Sequence, residues 1–159
     1  MKKIIKALVI GSFALYLLVL FSLLFMRSGG YWQNLSWVDY VRLNSNFVPF
    51  RTISQYVHLL FTGSINANIP LTNLWGNLLM MAPMGLYLPY FFKRARRPAV
   101  FFLVMLCLVL SAELAQTCLR VGSLDIDDVI LNLAGAFLQP AAVFCDTDCL
   151  ASLPAEVFA

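Results

Sequence analysis

From Ala7 to Met26 the chain reads ALVIGSFALYLLVLFSLLFM, and no charged side chain interrupts it. About 20 predominantly apolar residues suffice to cross a bilayer as a helix. The run is preceded by Lys2, Lys3 and Lys6 and followed by Arg27. A cleaved signal peptide is the rival reading, with the three lysines as its basic start and Ser28 and Gly30 as small residues near a cleavage point. The apolar stretch is longer than the roughly 7–15 residues of a signal core. An uncleaved span over about 4–26 is therefore the expectation.

The rest of the chain fits that reading. It has 159 residues, of which 61% are hydrophobic and 12% charged. Soluble domains carry about 25% charge and about 45–50% apolar residues. The apolar excess falls into further runs at about 73–92, 99–118 and 128–144. The second contains Pro83 and Pro89, tolerated in membrane helices where neighbours satisfy the freed carbonyls. It ends at Lys93, Arg94, Arg96 and Arg97 with Pro98. The net charge of +3 and pI near 8.8, without a basic stripe interleaved with aromatics, exclude nucleic acid as the expected partner. The lipid bilayer takes its place.

Between the first two spans lies a long polar and aromatic connection. Within it Ile53, Tyr56, Val57, Leu60 and Phe61 recur at the spacing of one helical face. Pro49 and Gly63 are its boundaries. This predicts an amphipathic helix, packed on the spans or lying in the membrane interface. The predicted fold is all-α and integral to the membrane, with four transmembrane helices and this helix in the outer connection. The membrane domain covers 1–145, and a short cytoplasmic tail covers 146–159. Cytoplasmic loops are enriched in Lys and Arg. The basic loop at 93–97 and the N-terminal lysines then agree in placing both termini in the cytoplasm, in a multi-pass protein of the cell membrane.

The polar interruptions are the informative part. Asn73 and Asn77 lie one turn apart near the outer end of the second span. Glu113, Gln116 and Arg120 share a face at the outer end of the third. Asp125, Asp127 and Asp128 lead into the fourth, where Asp125, Asp128 and Asn132 would share a face. Ionisable groups inside spans cost roughly 2.5–3.5 kcal/mol on insertion scales and usually face the bundle interior. Plainer roles stand beside a binding role for each. The aspartates suit a solvated loop and a helix N-terminus. Asn73 suits a helix cap, and Asn77 and Asn132 suit hydrogen bonds between helices. Arg51 can pair with Glu113 or an aspartate. Gly85 and Gly135 suit close helix packing. His58 reads as an ordinary surface residue. Cys107, Cys118, Cys145 and Cys149 lack a histidine nearby to complete a zinc site.

In order, the chain carries Asn46-Phe47-Val48-Pro49-Phe50-Arg51-Thr52-Ile53, then Asn73-Leu74-Trp75-Gly76-Asn77 with Ala82-Pro83-Met84-Gly85. Glu113-Leu114-Ala115-Gln116 follows, and last comes the run from Asp125-Ile126-Asp127-Asp128 to Asn132-Leu133-Ala134-Gly135-Ala136. In order and spacing this resembles the VanZ-like family over roughly residues 4–144. The resemblance implies a small bacterial membrane protein, from a family whose founding member is linked to resistance to the glycopeptide teicoplanin. Some members carry a further hydrophobic segment after the fourth span, where this chain has its short tail.

Two functions are weighed. In the first, Arg51, Asn77, Glu113, Gln116, Asp125, Asp128 and Asn132 form an outer-face site. That site binds a lipid or cell-wall precursor head group and alters antibiotic access. In the alternative, the protein is a membrane enzyme acting on a lipid-linked or phosphorylated substrate. Glu113, Asp125 and Asp128 would then hold Mg²⁺, Mn²⁺ or Ca²⁺, or Glu113 would act as general acid or base. Arg51 would grip a phosphate. No nucleophile–histidine pair, H-x-x-x-H or phosphate loop is present. A transporter fits less well, because the polar residues collect at one face rather than at the midplane.

Overall fold

The computed structural model describes residues 2–26 and 34–138. Cys145, Cys149, the end of the expected fourth span and the tail lie outside the described residues. The elements run α1 (Lys2–Phe25), α2 (Trp37–Leu43), β1 (Ser45–Asn46), α3 (Arg51–Thr62), α4 (Asn68–Met80), α5 (Met84–Phe91), a 3-10 turn (Lys93–Arg96), α6 (Pro98–Leu119), β2 (Leu124–Asp125) and α7 (Ile126–Leu138). Among the described residues the regular structure is helical apart from the two-residue pair β1–β2.

Helices α1 and α6 are long and apolar enough to cross a membrane. At 1.5 Å per residue they reach roughly 36 and 33 Å, against a hydrocarbon core of about 30 Å. Each buries a narrow stripe. On α6 the buried residues are Phe101, Met105, Val109, Glu113 and Thr117, four apart throughout. Glu113 therefore sits on the stripe that faces the other helices. On α1, Phe13 packs its ring 4.9 Å from those of Tyr87 and Phe91, and Tyr16 donates its hydroxyl to the carbonyl of Met80 at 2.9 Å. The rest of α1 presents leucines such as Leu8, Leu15 and Leu18 on the open surface.

The run at 73–92 falls in two helices. Helix begins at Asn68 and is broken between α4 and α5. Pro83 has no N–H to give the carbonyl of Leu79, which accepts from Ala82 instead at 3.2 Å. The chain tightens there before α5 starts. Asn73 is accordingly inside α4 and not its cap. Asn66 serves that end, its side-chain oxygen accepting from the Asn68 N–H at 3.0 Å.

Helix α4 packs most extensively on α7. Gly135 makes this possible, since a Cβ there would lie 1.6 Å from the carbonyl oxygen of Leu78. The core gathers Met81, Met84, Leu88, Phe101, Met105, Val109, Val129 and Ala136.

Candidate functional site

Two aspartates fasten the connection between α1 and α4 to the start of α7. Strands β1 and β2 pair in parallel, with Asn46 opposite Asp125. This register sets the Asn46 amide 3.0 Å from Asp125 Oδ1, and the Thr52 hydroxyl donates to Asp125 Oδ2 at 2.6 Å. Asp127 is fully buried and caps α3 from a distance. It accepts the backbone N–H groups of Phe50 at 2.5 Å, Thr52 at 2.7 Å and Ile53 at 3.1 Å. These are orphan donors of a helix start, and Phe50, in the left-handed region at φ 64°, has no side chain to cap them. Gly63, left-handed at φ 63°, closes the other end of α3.

Beside this clasp lies a cavity of about 890 Å³. It sits where α1 and α6 end and α7 begins, along the middle and end of α4. Asn73, Asn77, Glu113, Gln116 and Asp128 line it, with the end of α1 from Ser22 to Met26. The Asn77 amide donates to Asp128 Oδ1, and the Gln116 amide donates to the carbonyl of Leu24 at 2.8 Å. Glu113 is only 4% exposed. Its carboxyl takes the backbone N–H of Asp125, while its Oε2 has no partner among the described residues. Asn73 Oδ1 is likewise buried without one. Buried polar atoms are nearly always hydrogen-bonded, so two such acceptors at one cavity ask for an occupant or water.

Of the residues singled out in the sequence, Asn77, Glu113, Gln116 and Asp128 come together. Three do not line the cavity. Arg51 is exposed in the first turn of α3 and makes no side-chain hydrogen bond or ion pair with a described residue, so the expected pairing with Glu113 or an aspartate does not form. Asp125 is turned to Asn46 and Thr52. Asn132 is buried and donates back to the carbonyl of Asp128 at 2.9 Å within α7. Because Asp125 is engaged in the clasp, the carboxylates Glu113, Asp125 and Asp128 are not assembled as a metal-binding trio. No group of three or more His, Cys, Asp or Glu side chains among the described residues is placed to share a metal ion.

Arg120 is also redirected. It ends α6 in the left-handed region at φ 55°, and its guanidinium lies 5.4 and 5.5 Å from the ring centres of Trp37 and Tyr40. It donates to the carbonyl of Leu35 at 3.0 Å. Tyr40 is buried and gives its hydroxyl to the carbonyl of Gly122. Burial raises its ionisation above the usual phenol range against the opposing pull of Arg120. Helix α2 starts at the Ser36–Asp39 pair, a capping signal in the sequence, with Ser36 Oγ accepting the Asp39 N–H at 3.2 Å. Ser22, Asn44 and Ser123 also line the cavity. Isolated serines and one loop asparagine carry no spacing that would mark them.

A family model described as VanZ/LLP1 matches residues 13–144. No curated protein and no solved structure shows a significant match.

Proposed function

The chain belongs to the VanZ/LLP1 family, and from that premise we propose that it is a multi-pass bacterial membrane protein whose outer-face cavity binds a lipid or cell-wall precursor head group. Through that binding it lowers the access of glycopeptides of the teicoplanin type to the cell surface. The observation that carries the reading is Glu113, buried on an apolar helix with a bare carboxylate oxygen at a cavity of about 890 Å³. Small-molecule sites commonly occupy about 300–1,000 Å³.

The membrane placement is supported by how little of the two long helices is buried. The most apolar windows of α1 and α6 are 6% and 22% buried, whereas a core helix of a soluble protein would be mostly covered. In this proposal α4 and α5 together form the second span, and α7 with the residues beyond it forms the fourth. The basic turn Lys93–Arg96 and the N-terminal lysines face the cytoplasm. The cavity then opens on the outer side, where glycopeptides act.

The test is a set of single replacements, Asn77→Ala, Glu113→Gln and Asp128→Asn, in a host where the wild-type protein protects against teicoplanin. Protection falls in all three at unchanged protein level. Full protection in all three would overturn the site, and a wild type that never protects would overturn the resistance role.

The bare oxygen of Glu113 also favours a second reading, an acid–base enzyme acting on a lipid-linked substrate. Mass spectrometry of lipid extracts from cells with and without the protein tests it. The enzyme reading fails unless some lipid changes in amount with the wild type and not with Glu113→Gln.

A further inference from the structure

The cavity is unbalanced in its hydrogen bonding, and the imbalance identifies the class of ligand. We infer that it takes a head group presenting a primary ammonium, held through its N–H groups and not through a phosphate. This rests on the reading of the cavity as a head-group site and narrows it.

The ionisable side chains on its wall are the carboxyl groups of Glu113 and Asp128, and no lysine, arginine or histidine is among the described residues lining it. The cations that could have served are elsewhere. Arg120 is committed to Leu35 and the rings of Trp37 and Tyr40, Arg51 lies outside the lining, and the basic turn Lys93–Arg96 follows α5 at the other end of the bundle. A phosphate brought here would meet two carboxyl groups and no counter-charge, which disfavours it.

The hydrogen-bond inventory points the same way. Three amide donors of the wall are engaged by protein acceptors, Asn77 with Asp128, Gln116 with Leu24 and Asn44 with Tyr40. What remains bare is acceptors, Glu113 Oε2 and Asn73 Oδ1. A phosphate or carboxylate would set further acceptors against these two. A quaternary ammonium supplies charge without N–H. A primary ammonium supplies both, with three donors and no acceptor.

Two sources share this chemistry, an amine-bearing lipid and a free soluble amine. The purified full-length chain in detergent is mixed with equimolar phosphatidylethanolamine, phosphatidylcholine and phosphatidylglycerol of identical acyl chains, and the retained lipid is read by native mass spectrometry. Phosphatidylethanolamine is retained about tenfold over each of the others, and Glu113→Gln and Asp128→Asn each reduce that preference severalfold. A further arm adds free ethanolamine. Displacement of the lipid shows that the soluble amine suffices, and persistence shows that the acyl chains are needed; each agrees with ammonium recognition. Equal retention of the choline and ethanolamine lipids overturns the N–H requirement. Preferential retention of phosphatidylglycerol, lost in Glu113→Gln, overturns ammonium recognition while leaving a head-group site in place. No lipid retained in any arm overturns both readings. Should Glu113→Gln fail to fold, the Asp128→Asn variant and the three-lipid comparison on the wild type decide the matter.

Discussion

Asp127 and Thr52 are joined across the fold at 2.7 Å, the backbone N–H of Thr52 donating to Asp127 Oδ2. The contact makes an aspartate at the start of one helix the cap of another. It ties α3 to the rim of the cavity, onto which α3 projects Tyr56.

Asp127→Ala would strip the acceptor from three backbone donors at once. Charge-assisted hydrogen bonds contribute about 1.5–3 kcal/mol, and a lost cap costs about 0.5–2 kcal/mol. A loss on the order of 3 kcal/mol is expected in detergent unfolding. Hydrogen exchange at the amides of Phe50, Thr52 and Ile53 should speed up before the rest of α3. Unchanged exchange at those amides would contradict the capping role.

Asn46 and Asp125 form the second tie, at 3.0 Å. A double-mutant cycle on Asn46→Ala and Asp125→Ala is expected to give a coupling of about 0.5–3 kcal/mol, the range for residues in direct contact. Additive effects would show that the β1–β2 register does not depend on this pair.

Gly135 and Gly11 both lie in helices but predict opposite outcomes. A Cβ at Gly135 would strike the Leu78 carbonyl at 1.6 Å, whereas at Gly11 nothing lies within 4 Å. Gly135→Ala must push α4 and α7 apart and should cost at least about 1–3 kcal/mol. Gly11→Ala is expected to be neutral or slightly stabilising, because glycine is a poor helix former. Thermal unfolding of the two variants side by side checks the contrast.

Arg51 is exposed and lines no cavity, so Arg51→Ala is expected to change unfolding stability by no more than about 0.5 kcal/mol. A larger loss would place the guanidinium in a contact not seen here.

The long uncharged runs were readable because a helix in an apolar setting needs only length. The run at 99–118 lies within α6, Pro98–Leu119. The face formed by Ile53, Tyr56 and Leu60 was readable from period, and Gly63 from its fitness for a left-handed cap. Spacing also put Glu113 and Gln116 on one side of α6. What could not be read depends on contacts distant in the chain. A two-residue ladder between β1 and β2 leaves no periodicity, and nothing local shows that Asp127 caps α3 rather than only its own helix. Nor did spacing show Arg120 turning away from Glu113, since that depends on the left-handed residue ending α6. Pro83 was visible, but its presence alone did not show whether the helix would kink there or divide into α4 and α5.

The central claim is that the polar cavity opens on the outer face of the membrane. It is tested most directly by cysteine labelling in intact cells with a membrane-impermeant maleimide. The native cysteines are replaced by serine, and either Ser123→Cys, on the cavity wall, or Lys93→Cys, in the basic turn, is introduced. The account predicts that Ser123→Cys labels in intact cells and Lys93→Cys labels only after permeabilisation. Labelling of Lys93→Cys in intact cells, with Ser123→Cys protected until permeabilisation, would contradict it.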